Sequence, residues 1–176
     1  MDTWFFLTKF FTNRGELEKQ AVCTKHNDQQ TPLLSPGPGF QVVSQLDEKE
    51  TACSMMSFIE GVLWLTLNIY HEARSEPQIG KLAVAHVTLN RAREKNQSVE
   101  EVVTAPYQFS WTFTKNSYLP REPEALKECF RTALKAMISS DFTDGATFYH
   151  RKDIHPDWAD SLTYVAQWGD HKFYKR

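Results

Sequence analysis

The stretch that decides the fold is residues 63–91, LWLTLNIYHEARSEPQIGKLAVAHVTLNR. Two apolar segments with helical periodicity meet in it around a short charged break. Apolar residues recur in the first segment at three- and four-residue spacings, which is the pattern of a helix that buries one face. On that face are Phe58, Val62, Leu65 and Ile69. The sequence therefore predicts a core helix that leads into the break.

Pro77 defines the break. Proline cannot continue a helix, and it disfavours helical backbone at the residue before it. We therefore expect the first helix to end near Arg74 and the second to begin at Pro77. Ser75 or Glu76 is expected to cap the second helix.

Glu72 lies in the last turn of the first predicted helix. The negative end of the helix dipole and the apolar neighbours Tyr70 and Ala73 favour its protonated acid. His71 and Arg74 act in the opposite direction, since positive charge favours the carboxylate. An exposed glutamate at a solvated helix end is the alternative that this pattern leaves open.

Six short motifs follow one another from this break to the C-terminus. They are NIYHEARSEP at 68–77 with Gly80, AVAHVTLNR at 83–91, QFSW at 108–111, ATFYH at 146–150, PDWA at 156–159 and GDHKFY at 169–174. In order and rough spacing they resemble the signature of the spore cortex-lytic type cell wall hydrolases. The resemblance covers about residues 58–174 and departs from the usual pattern at His71, at Ser75 and throughout the first 50 residues.

The resemblance implies a mainly α, α+β fold similar to lysozyme and lytic transglycosylases, with a small C-terminal β-hairpin. It also implies an enzyme that degrades peptidoglycan glycan strands and uses Glu72 as its catalytic residue. Neither a cofactor nor a metal is expected. The substrate-binding candidates on the matching motifs are Glu76, Gln108, Ser110, Trp111, Tyr149 and His150. Each also has a structural alternative: Glu76 as a helix cap, the aromatic residues as core, and His150 as a buried structural histidine.

Two schemes for cutting the glycosidic bond stay open. Hydrolysis by a muramidase needs a second carboxylate, about 5–5.5 Å away for a nucleophile or about 6.5–9.5 Å away for a base. Glu76, Asp157 and Asp160 are the candidates for that carboxylate. The family resemblance implies instead a lytic transglycosylase, in which Glu72 alone acts first as acid and then as base.

Two rival classes are weighed against these schemes. The pair His71–Glu72 suggests a metal enzyme, but HExxH fails because position 75 is Ser, and no other pair has convincing ligand spacing. A non-catalytic wall-binding or virion structural protein is the second rival. A glutamate at position 72 is less typical of such a protein than a glutamine would be.

Composition limits the chain to one domain with an appendage. It has 176 residues, 41% of them hydrophobic and 24% charged, and a net charge of −2 that gives no support for nucleic-acid binding. The polar, proline- and glycine-containing segment 24–39 predicts a linker. We place an N-terminal appendage at residues 1–50 and the catalytic domain at 51–176.

The N-terminal appendage carries Phe5, Phe6 and Phe10 in a predicted short helix. Docking onto the main domain is the first expectation for these rings, with a partner or a membrane surface as the alternative. Neither a signal peptide nor a transmembrane segment is expected. An enzyme that degrades the cell wall but lacks an export signal must reach its substrate by another route. We therefore expect a bacteriophage endolysin or virion protein, which is made in the host cytoplasm and acts in cell lysis. Three scattered cysteines are expected to be reduced thiols.

Local patterns predict the remaining elements. A capped helix begins at Ser98 and ends before Pro106, and a loop spans 106–123. A long helix covers 124–139, where apolar residues have helical spacing and Cys129 is expected to be packed. Residues 146–150 and 171–174 are candidate strands that pair as a hairpin, with 156–167 looping between them.

Overall fold

The computed structural model describes residues 43–114 and 118–176, with side chains from Glu50 onward. The elements are helices α1 (Val43–Ala73), α2 (Gln78–Lys95), α3 (Val99–Thr104), α4 (Trp111–Thr114) and α5 (Pro123–Ile138), and strands β1 (Phe148–Arg151), β2 (Thr163–Trp168) and β3 (His171–Lys175). A 3₁₀ helix, Asp157–Ser161, precedes β2. Ser57–Arg176 forms one compact unit. The predictions for the N-terminal helix and the linker at 24–39 lie outside the described residues.

The C-terminal half of α1 is the core helix that the sequence predicts. Val62, Leu65 and Ile69 are almost completely buried. Phe58, predicted on the same face, is 41% exposed, so that part of the prediction is wrong. Met137 and Val99 lie close to α1 at Gly61, three residues after Phe58.

The segment Glu50–Ala73 of α1 is long and apolar enough to cross a membrane by length and composition alone, with a mean hydropathy of 1.4. This differs from the expectation that no apolar run approaches that length. Helices buried in the core of a protein have the same composition, and 44% of the segment's most apolar window is buried in the structure.

The break between α1 and α2 lies where proline predicts it. α1 ends at Ala73, and α2 begins at Gln78, one residue later than expected. The predicted side-chain cap is wrong, because Pro77 occupies the N-cap position and no side chain caps the helix there. Glu76 is engaged elsewhere: its Oε2 accepts a hydrogen bond from the Asp170 backbone N–H at 2.8 Å.

Helices α3 and α5 confirm the local predictions and pack against α2. α3 begins with a capping box in which the side chains of Ser98 and Glu101 bond each other's backbone N–H groups. α5 lies within one residue of its predicted bounds and buries Cys129. The predicted loop at 106–123 is wrong in one respect, because it contains the one-turn helix α4.

A three-stranded antiparallel sheet closes the fold in the order β1-β3-β2. β1 and β3 pair as predicted, with Tyr149 opposite Phe173. Residues 156–167 were expected to loop between these strands but form the 3₁₀ helix and most of β2, which pairs with β3 across a tight turn at Gly169 and Asp170. β2 is half-exposed along its length, so its sequence lacks the clear alternation of a strand with one buried face.

The cysteines differ from the expectation of three reduced thiols. Cys129 is free and buried, and burial raises the pKa of its thiol to about 11. Cys53 is disulfide-bonded, which contradicts the prediction at that position.

Candidate active site

Glu72 lies in the last turn of α1, at the break, with its side chain partly exposed. The phenol of Tyr149, in the middle of β1, donates a hydrogen bond from Oη to Glu72 Oε2 at 3.1 Å. The helix break and the sheet therefore meet at this carboxyl group. Tyr149 is one of the predicted substrate-binding residues, and its side chain contacts Glu72.

Tyr149 is held in its protonated form. Burial is the main cause that raises its pKa well above the ordinary value, and the neighbouring carboxyl of Glu72 raises it further. Arg91 has the opposite effect on this pKa but does not outweigh the other two. Because the phenol keeps its proton at neutral pH, it is a permanent hydrogen-bond donor to Glu72.

Arg91, near the C-terminal end of α2, brings a positive charge to the same place. Its Nε donates a hydrogen bond to the Thr147 backbone carbonyl oxygen at 2.7 Å. The guanidinium carbon also lies 5.3 Å from the Phe109 ring centroid and 5.9 Å from that of Tyr149. Burial lowers the pKa of Arg91, and Tyr149 and Glu72 partly offset this effect. Sequence reasoning missed this electrostatic contact, because the motif spacing does not show which side chains meet.

Trp111 is a buried packing residue. Its ring is 2% exposed and stacks on His71 at a centroid distance of 4.5 Å. Its indole Nε1–H donates to Asn68 Oδ1 at 3.0 Å, and Asn68 in turn donates to Thr88 Oγ1 on α2. Trp111 thus fixes the residue next to Glu72, and its burial leaves no ring face for a sugar.

The other residues of the QFSW motif lie on the same loop. Phe109 is buried, and the Arg91 guanidinium lies over its ring. Gln108 is half-buried. Ser110 is exposed, and its backbone carbonyl accepts hydrogen bonds from the side chain and the backbone N–H of Thr114.

His150 is a structural residue of the sheet. It is buried, and its ring stacks on Tyr174 with a centroid distance of 5.2 Å. Its Nε2 lies 3.0 Å from Tyr174 Oη, and its Nδ1 lies 2.7 Å from the Arg151 carbonyl oxygen. Because neighbours in a strand alternate between faces, Tyr149 points toward Glu72 and His150 points away from it.

Glu76 lies within the break, directly before Pro77, and its side chain is 8% exposed. Besides the hydrogen bond from Asp170, its Oε1 lies 3.5 Å from His171 Nδ1. The structure therefore places both carboxyl oxygens of Glu76 against the turn between β2 and β3.

The remaining candidates for a second carboxylate lie on the 3₁₀ helix. Asp160 pairs with His155 at 3.0 Å, and both side chains are exposed. Asp157 begins the same helix and is also exposed.

No metal-binding group is present in the part of the chain that the structure describes. There, no three or more His, Cys, Asp or Glu side chains are grouped so that they could hold an ion. His86 is buried beside Asp141, with its Nδ1 3.8 Å from Asp141 Oδ1.

Comparison with known proteins identifies the family. A family model described as Cell Wall Hydrolase matches residues 75–174, which is more than half of the chain. The chain belongs to the cell wall hydrolase family. The match begins three residues after Glu72, so the family assignment rests on α2, the QFSW loop and the sheet.

A curated relative agrees with this family assignment. A spore cortex-lytic enzyme of Halalkalibacterium halodurans is 32% identical over 108 residues, which are 60% of this chain. The chain spans about a third of the length of that curated relative, since the match covers 32% of it.

Two solved structures share the cell wall hydrolase fold. The catalytic domain of the Bacillus cereus SleB protein is 28% identical, with a TM-score of 0.56, and the match covers 66% of this chain and 91% of that domain. The catalytic domain of the germination-specific lytic transglycosylase SleB from Bacillus anthracis is also 28% identical, with a TM-score of 0.57 and coverage of 65% and 93%. The fold is therefore mainly helical and lysozyme-like with a small sheet, as the sequence predicts.

Proposed function

We propose that this chain degrades peptidoglycan by cleaving the bond between N-acetylmuramic acid (MurNAc) and N-acetylglucosamine (GlcNAc), as a lytic transglycosylase in which Glu72 is both acid and base. The observation that carries the proposal is the hydrogen bond from Tyr149 to the partly exposed carboxyl of Glu72 at the break between α1 and α2. Family membership and the similarity to a lytic transglycosylase domain support the class of reaction.

In the first step, protonated Glu72 donates its proton to the glycosidic oxygen as the bond from that oxygen to MurNAc C1 breaks. The leaving GlcNAc departs as an alcohol, and positive charge develops at C1 and the ring oxygen. The Glu72 carboxylate that forms accepts the hydrogen bond from Tyr149 and lies in the field of Arg91. A negative charge that appears during the step is stabilised by donors and charges already in place.

In the second step, the carboxylate acts as base. It removes the proton from the 6-hydroxyl of the same MurNAc residue, while that oxygen forms a bond to C1. The product is a 1,6-anhydromuramoyl end, and Glu72 is protonated again for the next cycle. This scheme needs no second carboxylate, which suits a structure in which Glu76 binds the β2–β3 turn and Asp160 pairs with His155.

Digestion of purified peptidoglycan, followed by mass spectrometry of the products, tests the proposal. We expect muropeptides that are lighter by one water than those with reducing ends. Glu72→Gln should reduce the rate by at least about 100-fold, since it removes the transferable proton. Glu124→Gln, an exposed substitution on α5, is the matched control and should keep the wild-type rate.

Other results would identify a different function. Products with reducing MurNAc ends would establish hydrolysis by a muramidase. A Glu72→Gln variant as active as the wild type would refute the assigned role of Glu72. Wall binding without any cleavage would indicate the non-catalytic alternative. We also propose that residues 51–176 are the catalytic part and that the protein is a bacteriophage endolysin. It would act at the host wall, either from the cytoplasm or from the virion. Lysis assays on whole bacteria would test these proposals.

A further inference from the structure

Glu76 has the surroundings of a residue that joins two parts of the fold. It follows Glu72 by four residues but lies beyond the end of α1. The hydrogen bond from the Asp170 backbone N–H connects it to a residue 94 positions further along the chain. This bond ties the helix break to the turn from which β3 starts.

Two glycines make room for the Glu76 carboxyl. Gly169 has a φ of +64°, and a Cβ atom there would lie 2.0 Å from Glu76 Oε2. A Cβ atom at Gly80 would lie 3.2 Å from the same oxygen. The carboxyl group of Glu76 is thus close to backbone on two sides, and its side chain is 8% exposed.

The contacts of Glu76 lead back to the candidate catalytic group. His171, whose Nδ1 lies 3.5 Å from Glu76 Oε1, is the first residue of β3. Its ring packs edge-on against the Tyr149 ring, with a centroid distance of 5.3 Å. His171 Nδ1 is buried and has no partner with hydrogen-bond geometry in the described structure, so Glu76 supplies the nearby polar group that it faces.

We propose that Glu76 is a positioning residue, which ties the β2–β3 turn to the helix break and thereby holds Tyr149 at hydrogen-bonding distance from Glu72. The proposal rests on the proposed function, in which Glu72 is the reacting group. It differs from the three roles considered for Glu76 from the sequence, which are a helix cap, a substrate contact and a second catalytic carboxylate. Glu76 acts through Tyr149 and touches no reacting atom.

The physical reason is that a 3.1 Å hydrogen bond tolerates little movement between the elements that carry its two ends. Glu72 is on α1 and Tyr149 is on β1. Glu76 lies in the helix break and binds the turn between β2 and β3, so it restrains the distance between these elements. Loss of about 1 Å of precision at a catalytic group can cost about 100-fold in rate.

A double-mutant cycle between Glu76 and Tyr149 tests the proposal. Glu76→Ala should lower kcat by about tenfold or more and leave KM within about twofold, as expected when ground-state binding is not involved. Glu76→Gln keeps an oxygen that can accept the Asp170 N–H bond and should restore part of kcat. In a Tyr149→Phe background, Glu76→Ala should cost little more, because both substitutions remove the same hydrogen bond.

Specific outcomes would overturn the positioning role. A raised KM with unchanged kcat would show that Glu76 binds substrate. Losses that add fully in the double mutant would show that Glu76 acts independently of Tyr149. Glu128→Ala removes a carboxylate that pairs with Lys81 on α2, and this control should leave kcat unchanged. If Glu76→Ala fails to fold, the double-mutant cycle with Tyr149→Phe is measured with Glu76→Gln instead.

A measurement without substrate separates this proposal from the proposed function. In protein with ¹³C-labelled tyrosine, Glu76→Ala, which removes the acceptor of the Asp170 N–H bond, should shift the Tyr149 Cζ resonance, whereas Glu128→Ala should not. An unchanged Tyr149 resonance would refute the positioning role, whatever the activity. Wild-type activity in Glu72→Gln would instead refute the proposed function, and the resonance would still decide the role of Glu76.

Discussion

Tyr149 donates a hydrogen bond to Glu72 over 3.1 Å, although the two residues are 77 positions apart in the chain. Glu72 lies in the last turn of α1, and Tyr149 lies on strand β1 of the small sheet. The bond exists only when both halves of the domain are folded and correctly spaced. Its presence therefore indicates that the candidate site is correctly formed.

Removal of this hydrogen bond should reduce activity without unfolding the domain. Tyr149→Phe keeps the ring that packs on His171 and Phe173 but loses the donor to Glu72. A hydrogen bond to a charged group contributes about 1.5–3 kcal/mol, so we expect kcat to fall by about 10- to 100-fold. Initial rates on solubilised peptidoglycan would measure the effect. Tyr164→Phe, on the exposed part of β2, should leave kcat unchanged.

A methyl group at Gly169 should destabilise the domain more than one at Gly145. Both glycines have positive φ, +64° and +75°, so alanine is strained at either position by about 1 kcal/mol. At Gly169 the new Cβ also meets Glu76 Oε2, whereas nothing lies within 4 Å at Gly145. Urea unfolding of the two variants should therefore give a larger loss of unfolding free energy for Gly169→Ala. Equal losses would mean that Glu76 can move away from the turn at no cost.

The indole N–H of Trp111 should contribute to stability rather than to sugar binding. Trp111→Phe leaves the buried Asn68 Oδ1 without this donor, which should cost about 1–3 kcal/mol of unfolding free energy. The partly exposed Trp158 provides a comparison, and Trp158→Phe should cost less. If Trp111→Phe instead raised KM and left the urea midpoint unchanged, the ring would have to bind substrate.

Two buried histidines predict a loss of stability in weak acid. Burial is the largest cause that lowers the pKa of both His86 and His171, and it outweighs the opposing carboxylates of Asp141 and Glu76. The unfolded chain, in which a histidine has its ordinary pKa of about 6.5, therefore binds protons first as the pH falls. The neutral histidines therefore contribute fully to the free energy of unfolding above pH ~6.5. This contribution is lost as the pH decreases toward the folded pKa values, and the free energy of unfolding falls by at most about 1.4 kcal/mol per pH unit for each histidine.

Urea midpoints between about pH 7.5 and pH 5.5 would measure this loss, in a range above the ordinary carboxylate pKa values. We expect a lower midpoint at the acidic end and a shallower pH dependence in His86→Gln. The exposed His155 provides the control, since His155→Gln should keep the wild-type slope. A pH-independent midpoint in the wild type would contradict the burial of neutral His86 and His171.

The sequence predicted the helical part of the fold better than the sheet. Pro77, the Ser98 capping box and the apolar spacing of α5 act within a few residues, so helix bounds could be read locally. β2 was missed because its residues are half-exposed and its hydrogen bonds depend on β3. Phe58 has the right spacing for the core, but no spacing pattern shows where the neighbouring elements begin to cover a helix.

The candidate site could be predicted only in part, because it also depends on contacts between residues that are distant in the chain. Glu72 and Tyr149 were selected by motif resemblance, and the structure brings them together. Trp111 and His150 were selected in the same way, but the structure buries them among Asn68, His71 and Tyr174. A motif shows which residues belong to a family and does not show which side of a strand or loop each side chain occupies.

The sequence by itself determined the helix break and the position of Glu72 beside it, because proline geometry and helix periodicity are properties of neighbouring residues. Only the tertiary structure decided that Tyr149 and Arg91 surround this glutamate and that Glu76 binds the turn at Asp170. These contacts join elements that are distant in the chain. Their geometry depends on how the helices and the sheet pack together, which no local pattern of residues specifies.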